Sequence, residues 1–130
     1  MDILITGGSG FVGDAYQRHF ASDHRNRCTI IDLKSGDDCR DYFKTSTKRF
    51  DLIIHLAAIV GGRLTIEGDP LSVATDLSID AEFFNWLLRS DQTCPVIYFS
   101  SSAAYPIYLQ ERGKRIPLSE DLIDYRRMAT

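Results

Sequence analysis

Apolar positions along the chain fall into four short runs, separated by longer stretches with helical spacing. Ile3-Leu4-Ile5 is an apolar, β-prone run that ends at Thr6 and a glycine cluster, the pattern of a buried strand. From Phe11 the spacing changes, and Phe11, Val12, Ala15, Tyr16, His19 and Phe20 share one face of a helix. Cys28 to Ile31 predicts a second strand, with Asp32 at its end. Residues 40–47 read as weakly helical, and Leu52 to Leu56 as a third strand followed by small residues and Gly61-Gly62. Asp69-Pro70 marks a helix start, a carboxylate before a proline at the first helical position. Leu71, Ala74, Leu77, Ala81, Phe84 and Leu88 then predict a long helix from Pro70 to about Arg89, with that stripe as its apolar face. Pro95 to Phe99 predicts a fourth strand that runs into Ser100-Ser101-Ser102. Beyond Pro106 the periodicity fades into an irregular excursion, and Leu122 to Met128 predicts the start of another helix.

Strands that are apolar throughout, alternating with amphipathic helices, imply a parallel sheet covered on both faces. Eighteen residues separate Asp32 from Asp51. That is too few for a crossover helix, a further strand and a second helix. The expected architecture is a partial, doubly wound α/β sheet of the Rossmann type, with about four strands and the usual third strand missing or vestigial.

Composition narrows the function classes. The chain has 130 residues, enough for one domain, expected here to span 1–130. Fifteen Lys plus Arg against eighteen Asp plus Glu leave a net charge of −3, which excludes a broadly basic nucleic-acid binder. The longest apolar run, Leu52 to Val60, is interrupted by His55 and falls far short of the roughly 18 residues of a membrane span. Cys28, Cys39 and Cys94 have neither disulfide-framework nor zinc spacing, so they read as reduced thiols. Asp2 stands where a secretory signal would carry basic residues. The expected location is therefore cytoplasmic.

Four of the nine glycines lie between Thr6 and Gly13. Gly7, Gly10 and Gly13 form a G-x-x-G-x-x-G spacing that follows a strand and opens a helix. Each glycine has a reason. Gly7 permits the tight turn, Gly10 lets the backbone approach a pyrophosphate, and Gly13 lets the helix pack close to the sheet. The N–H groups around Gly10, Phe11 and Val12, at the positive end of the helix dipole, would hold the anion. A glycine turn alone could simply join strand to helix. Asp32, nineteen residues after Gly13 and at the next strand end, is the second element. Its carboxylate can accept both ribose hydroxyls and repels a 2′-phosphate, so NAD is expected rather than NADP.

With these residues in view, the chain resembles the extended short-chain dehydrogenase/reductases, the NAD-dependent sugar-nucleotide epimerases and dehydratases. The resemblance runs from the Ile5-to-Gly13 segment almost to the end. His55-Leu56-Ala57-Ala58 is similar to the family's strand-four motif, whose small residues let the cofactor lie against the strand end. Asp38-Cys39-Arg40-Asp41 is similar to its Asp-x-Arg-Asp segment, in which Asp38 and Cys39 would border the adenine. Phe99 to Pro106 resembles the strand-five signature that carries a catalytic Ser or Thr. Pro117-Leu118-Ser119-Glu120 resembles the Pro-x-x-Glu segment that follows. The Ala57-to-Gly62 segment, the compressed middle and Tyr105-Pro106 are most similar to the fucose-synthase branch, which epimerises and reduces a GDP-bound keto sugar.

The resemblance implies a nucleotide-sugar substrate, and a homodimer through the helix 70–89 face. It also implies three polar groups: a Tyr that exchanges the sugar hydroxyl proton, a Lys four residues on, and a Ser or Thr that positions the reacting oxygen. By its distance before Tyr105, Ser101 is the candidate for the third group, with Ser102 in reserve. No Tyr-x-x-x-Lys occurs in the chain, and the spacing would put that Tyr just after Thr130. The expectation is an NAD-binding portion that is truncated before its catalytic pair; the alternative is a catalytically incomplete nucleotide-binding or structural module. A second departure is Asp76, where the family usually has Asn; the added charge would disfavour a phosphate-bearing ligand. His55 is expected to be a satisfied core histidine rather than a base.

Overall fold

The computed structural model describes residues 1–59, 68–101, 104–109, 111, 113, 115–124 and 126. The chain divides into two compact units, Met1–Tyr98 and Phe99–Thr130.

In the first unit, β1 (Asp2–Thr6), β2 (Arg27–Ile31), β3 (Leu52–His55) and β4 (Val96–Tyr98) form one parallel sheet in the order β2-β1-β3-β4. The register sets Ile5 beside Ile30 and Ile54, and Thr6 beside Ile31 and His55. The chain winds to one side of β1 to make β2, then returns to the other side for β3 and β4. The ends of β1 and β3 therefore flank the point where the strand order reverses, the place where open α/β sheets leave a crevice. Between β2 and β3 lie only a 3-10 turn, Leu33–Ser35, and α2 (Cys39–Thr45). The strand expected to be missing is absent from that fully described link.

Alternating side chains fill two layers. Ile3, Ile5 and Ile54 face α1 (Phe11–Ala21), where they meet Tyr16 and Phe20. Leu4, Ile31 and Ile53 face the other way, onto Phe43 of α2 and onto Ile79, Phe83 and Trp86 of α3 (Pro70–Arg89). Asp38 starts α2 by accepting the Arg40 N–H at 2.9 Å, and the Trp86 Nε1–H donates to the Ser46 carbonyl at 2.9 Å. No described helix is long and apolar enough to cross a membrane.

Three sequence expectations change. The α3 boundaries agree, but the stripe Leu71, Leu77, Phe84, Leu88 is exposed, with Leu88 82% accessible, and Ile79, Phe83 and Trp86 are buried instead. The helix is apolar on two sides, and the face carrying the large aromatic rings, which bury the most area, is the one against the sheet. On α1, Phe11 is 95% exposed and Val12, Ala15 and His19 are exposed as well, so only Tyr16 and Phe20 of the expected face pack inward, because the close packing of Gly13 sets the helix rotation and turns Phe11 outward. In the second unit, Glu120–Leu122 is a 3-10 turn and Ile123 is extended, so no helix runs through the described start of the 122–128 segment. Residues 125, 127 and 128 lie outside the described residues.

Candidate functional site

The loop after β1 can take its shape only because of its glycines. Gly7 has φ +69°, and a Cβ there would stand 2.7 Å from the Leu56 carbonyl group. A Cβ on Gly13 would stand 2.5 Å from the carbonyl oxygens of Gly7 and Gly8. The loop is thus folded back over the start of α1. Gly10 is the N-cap of α1 in extended backbone, and no described side chain caps it. The N–H groups of Phe11, Val12 and Gly13 therefore have no intrahelical partner and stand at the positive end of the helix.

Asp32 ties this loop to the end of β2. It is 8% exposed. Its Oδ2 accepts the Ser9 N–H at 2.8 Å, and its Oδ1 accepts the Lys34 N–H at 2.8 Å. The Lys34 ammonium returns to the Ser9 carbonyl at 3.3 Å, closing a ring of contacts. Each carboxylate oxygen still has acceptor capacity for a further donor.

A cavity of about 370 Å³ lies beyond the ends of β1, β2 and β3. Gly7, Gly10, Asp32, Leu56, Ala57 and Ala58 line it, with Asp38, Cys39 and Arg40 on the α2 side. Eight of the sequence-predicted binding residues are brought together in this way. Phe11, Val12 and Gly13 form the adjoining turn of α1 rather than the cavity wall. The Asp38 carboxyl is held below its usual range by the Arg40 guanidinium, which sits 2.6 Å from it and also reaches the Ser78 hydroxyl at 3.2 Å. Burial, reinforced by the Asp38 charge, pushes the Cys39 thiol up to about 11, so it is no nucleophile at neutral pH.

Lys34, Thr6 and Asp76 also shape this region, and motif spacing did not single out the first two. Asp76 accepts the Ile59 N–H at 2.6 Å, so the carboxylate that departs from the family pattern holds the segment after β3. Thr6 could have been found from the alternation along β1, which sets it on the Leu4 side at the strand end. Its hydroxyl contacts His55 Nδ1 at 2.8 Å.

The expectation of a fully satisfied His55 is only half met. The ring is 3% exposed and stacks on Phe83 at a centroid distance of 4.0 Å. Nε2 has no hydrogen-bond partner among the described residues and lies 3.9 Å from Asp80 Oδ1. Burial lowers the imidazole to about 4, against the opposing pull of Asp80.

Ser101 belongs to the second compact unit, is exposed, and its carbonyl accepts the Ala104 N–H at 3.1 Å. Ser102 lies outside the described residues.

The model of the NAD dependent epimerase/dehydratase family matches residues 3–127. The chain belongs to that family. Over 67 residues it is 36% identical to a GDP-L-fucose synthase of Dictyostelium discoideum, a match covering 46% of this chain and 20% of that protein. Among solved structures, it resembles RMD from Pseudomonas aeruginosa complexed with NADPH, with a TM-score of 0.70 and 23% identity over 96% of this chain and 43% of that one. It also resembles the Thermus thermophilus UDP-glucose 4-epimerase in complex with NAD, with a TM-score of 0.66 and 16% identity over 94% of this chain and 43% of that one. The two structural likenesses carry the fold. The chain spans a fifth of the fucose synthase's length and less than half of either solved structure.

Proposed function

We propose that this chain binds NAD in the cavity beyond β1, β2 and β3, as the cofactor half of an enzyme that transfers hydride on a nucleotide sugar. The observation that carries the reading is the junction of two groups: a buried carboxylate with spare acceptor capacity, and a glycine loop whose following helix turn has N–H donors without an intrahelical partner. Gly10, Phe11, Val12 and Gly13 would hold the pyrophosphate, and Asp32 the adenosine ribose. Asp38 and Cys39 would border the adenine, and Leu56, Ala57 and Ala58 would leave room for the cofactor beside β3. The Asp32 charge favours NAD over a cofactor with a 2′-phosphate. When bound, the nicotinamide supplies hydride chemistry.

Ser101, with Ser102 as the second candidate, would position the reacting sugar oxygen. No Tyr-x-x-x-Lys occurs in these 130 residues, so turnover needs a phenol and an ammonium from outside them. The exposed stripe of α3, with Leu77, Phe84 and Leu88 interleaved by Ala74 and Ala81, supports a homodimer through this helix. The three reduced thiols support a cytoplasmic location.

Calorimetric titration with NAD and NADP tests the cofactor reading. Saturable NAD binding with weaker NADP binding is the expected result, and silence with both dinucleotides overturns it. Alone, the 130 residues should show no turnover of GDP- or UDP-sugars.

A further inference from the structure

The buried polar contact behind the cavity wall has one consistent proton arrangement. Thr6 Oγ1 has three neighbours: His55 Nδ1 at 2.8 Å, the Leu56 N–H at 3.2 Å and the Ala57 N–H at 3.3 Å. A hydroxyl oxygen has two lone pairs and one proton. The two amides can only donate, the Leu56 N–H dividing itself between this hydroxyl and the Thr6 carbonyl at 3.1 Å, so they take the lone pairs, and the Thr6 proton must go to Nδ1. The opposite arrangement would aim three N–H groups at one oxygen and leave the buried Thr6 proton without an acceptor among the described residues. In the neutral ring the proton therefore sits on Nε2, on the side of the Asp80 carboxylate.

We propose that His55 is a positioning residue: by taking the Thr6 hydroxyl proton at Nδ1, it turns the Thr6 lone pairs onto the Leu56 and Ala57 amides and fixes the cavity wall after β3. The wall needs such a tie. Leu56 and Ala57 follow the last residue of β3, and the Leu56 carbonyl group is also what a Cβ on Gly7 would strike. A small shift of this segment would change the space between loop and wall. The ring itself is held by stacking on Phe83 and Tyr98 and by contact with Phe43, so its Nδ1 is aimed by the core rather than by solvent. The charged or titratable groups facing it are Asp80 from α3 and Tyr98 from β4; the Tyr98 phenol itself is pushed up by burial and by its hydrogen bond to Asp80.

The cofactor consequence rests on the NAD reading above, but the tie does not, and three measurements on the full chain keep them apart. Long-range proton–nitrogen NMR correlation of the His55 ring should show bare Nδ1 and protonated Nε2 at neutral pH. The other tautomer, or an imidazolium, overturns the proposal. Amide exchange at Ala57 should quicken in both Thr6→Val and His55→Phe, roughly five- to tenfold for one lost hydrogen bond, and less at Leu56, whose N–H keeps the Thr6 carbonyl at 3.1 Å. It should return toward wild type in His55→Asn, which offers an acceptor near the Nδ1 position, and in Thr6→Ser. His55→Phe keeps an aromatic ring for the stack, and a native near-UV spectrum is the check that this variant is folded. Unchanged exchange at Ala57 in a folded His55→Phe or Thr6→Val protein also overturns the proposal. NAD affinity should fall in His55→Phe and recover in His55→Asn. If wild type binds no dinucleotide, the NAD reading fails while tautomer and exchange still decide the role of His55.

Discussion

The Ser9 N–H lies 2.8 Å from Asp32 Oδ2, so the glycine loop and the end of β2 meet at the same carboxylate that a bound ribose would use. One residue thereby sets the loop position and offers the recognition group. Removing it should affect both.

For Asp32→Ala the loss is expected in affinity before stability. Hydrogen bonds to a charged group are worth about 1.5–3 kcal/mol, so NAD binding should weaken by roughly ten- to a hundredfold. Asp32→Asn keeps an acceptor for Ser9 but removes the charge, and should move the NAD-to-NADP preference toward NADP. Calorimetry with both dinucleotides measures the ratio. An unchanged ratio in Asp32→Asn speaks against the carboxylate as discriminator.

Gly13→Ala should be costly despite the good helix propensity of alanine. The new methyl would meet the Gly7 and Gly8 carbonyl oxygens at 2.5 Å, and backbone cannot swing aside like a long side chain. Overpacking of this kind costs about 1–3 kcal/mol. A lowered thermal midpoint is the expected readout, with dinucleotide binding reduced at temperatures where the protein is still folded.

Acid should weaken the fold through His55. Its folded value is about 4, against an ordinary 6.5, so the unfolded chain takes up this proton first. The contribution is complete above about pH 6.5 and is lost as pH falls toward 4, where both states become protonated. Its full size is on the order of 3 kcal/mol. Urea titrations across this range should show the decline in wild type and a flatter profile in His55→Phe. Identical profiles would mean that another group governs acid sensitivity.

A charge on the outer stripe of α3 should act on association rather than folding. Leu77 and Phe84 are 73% and 50% exposed, so Leu77→Glu and Phe84→Glu remove little from the core. If copies pair through this helix, both variants should sediment as monomers under conditions where wild type does not. A wild type that is monomeric at all concentrations ends the pairing idea.

Much of the framework was legible because its signals are local. Gly7 to Gly13 between a strand and a helix, Asp32 at the next strand end and the short link before Asp51 led to the sheet, the cavity and the missing strand. The α3 bounds were legible from Asp69-Pro70 and the helical spacing. Its orientation was not, because Leu77-Phe84-Leu88 and Ile79-Phe83-Trp86 are both apolar series. Only tertiary packing chooses between them. Lys34 and Thr6 escaped notice for a related reason: each acts through a partner far along the chain, Ser9 for one and His55 for the other. Phe11 misled because the helix rotation is set by Gly13, which contributes nothing to an apolar count.

Trp86 is the chain's single tryptophan. It stacks on Phe43 at 5.2 Å, donates its indole proton to Ser46 and is fully shielded from water. Its fluorescence therefore issues from one dry spot beneath α2 and α3. A red shift on denaturation would signal, without any added dye, that this side of the sheet has come open.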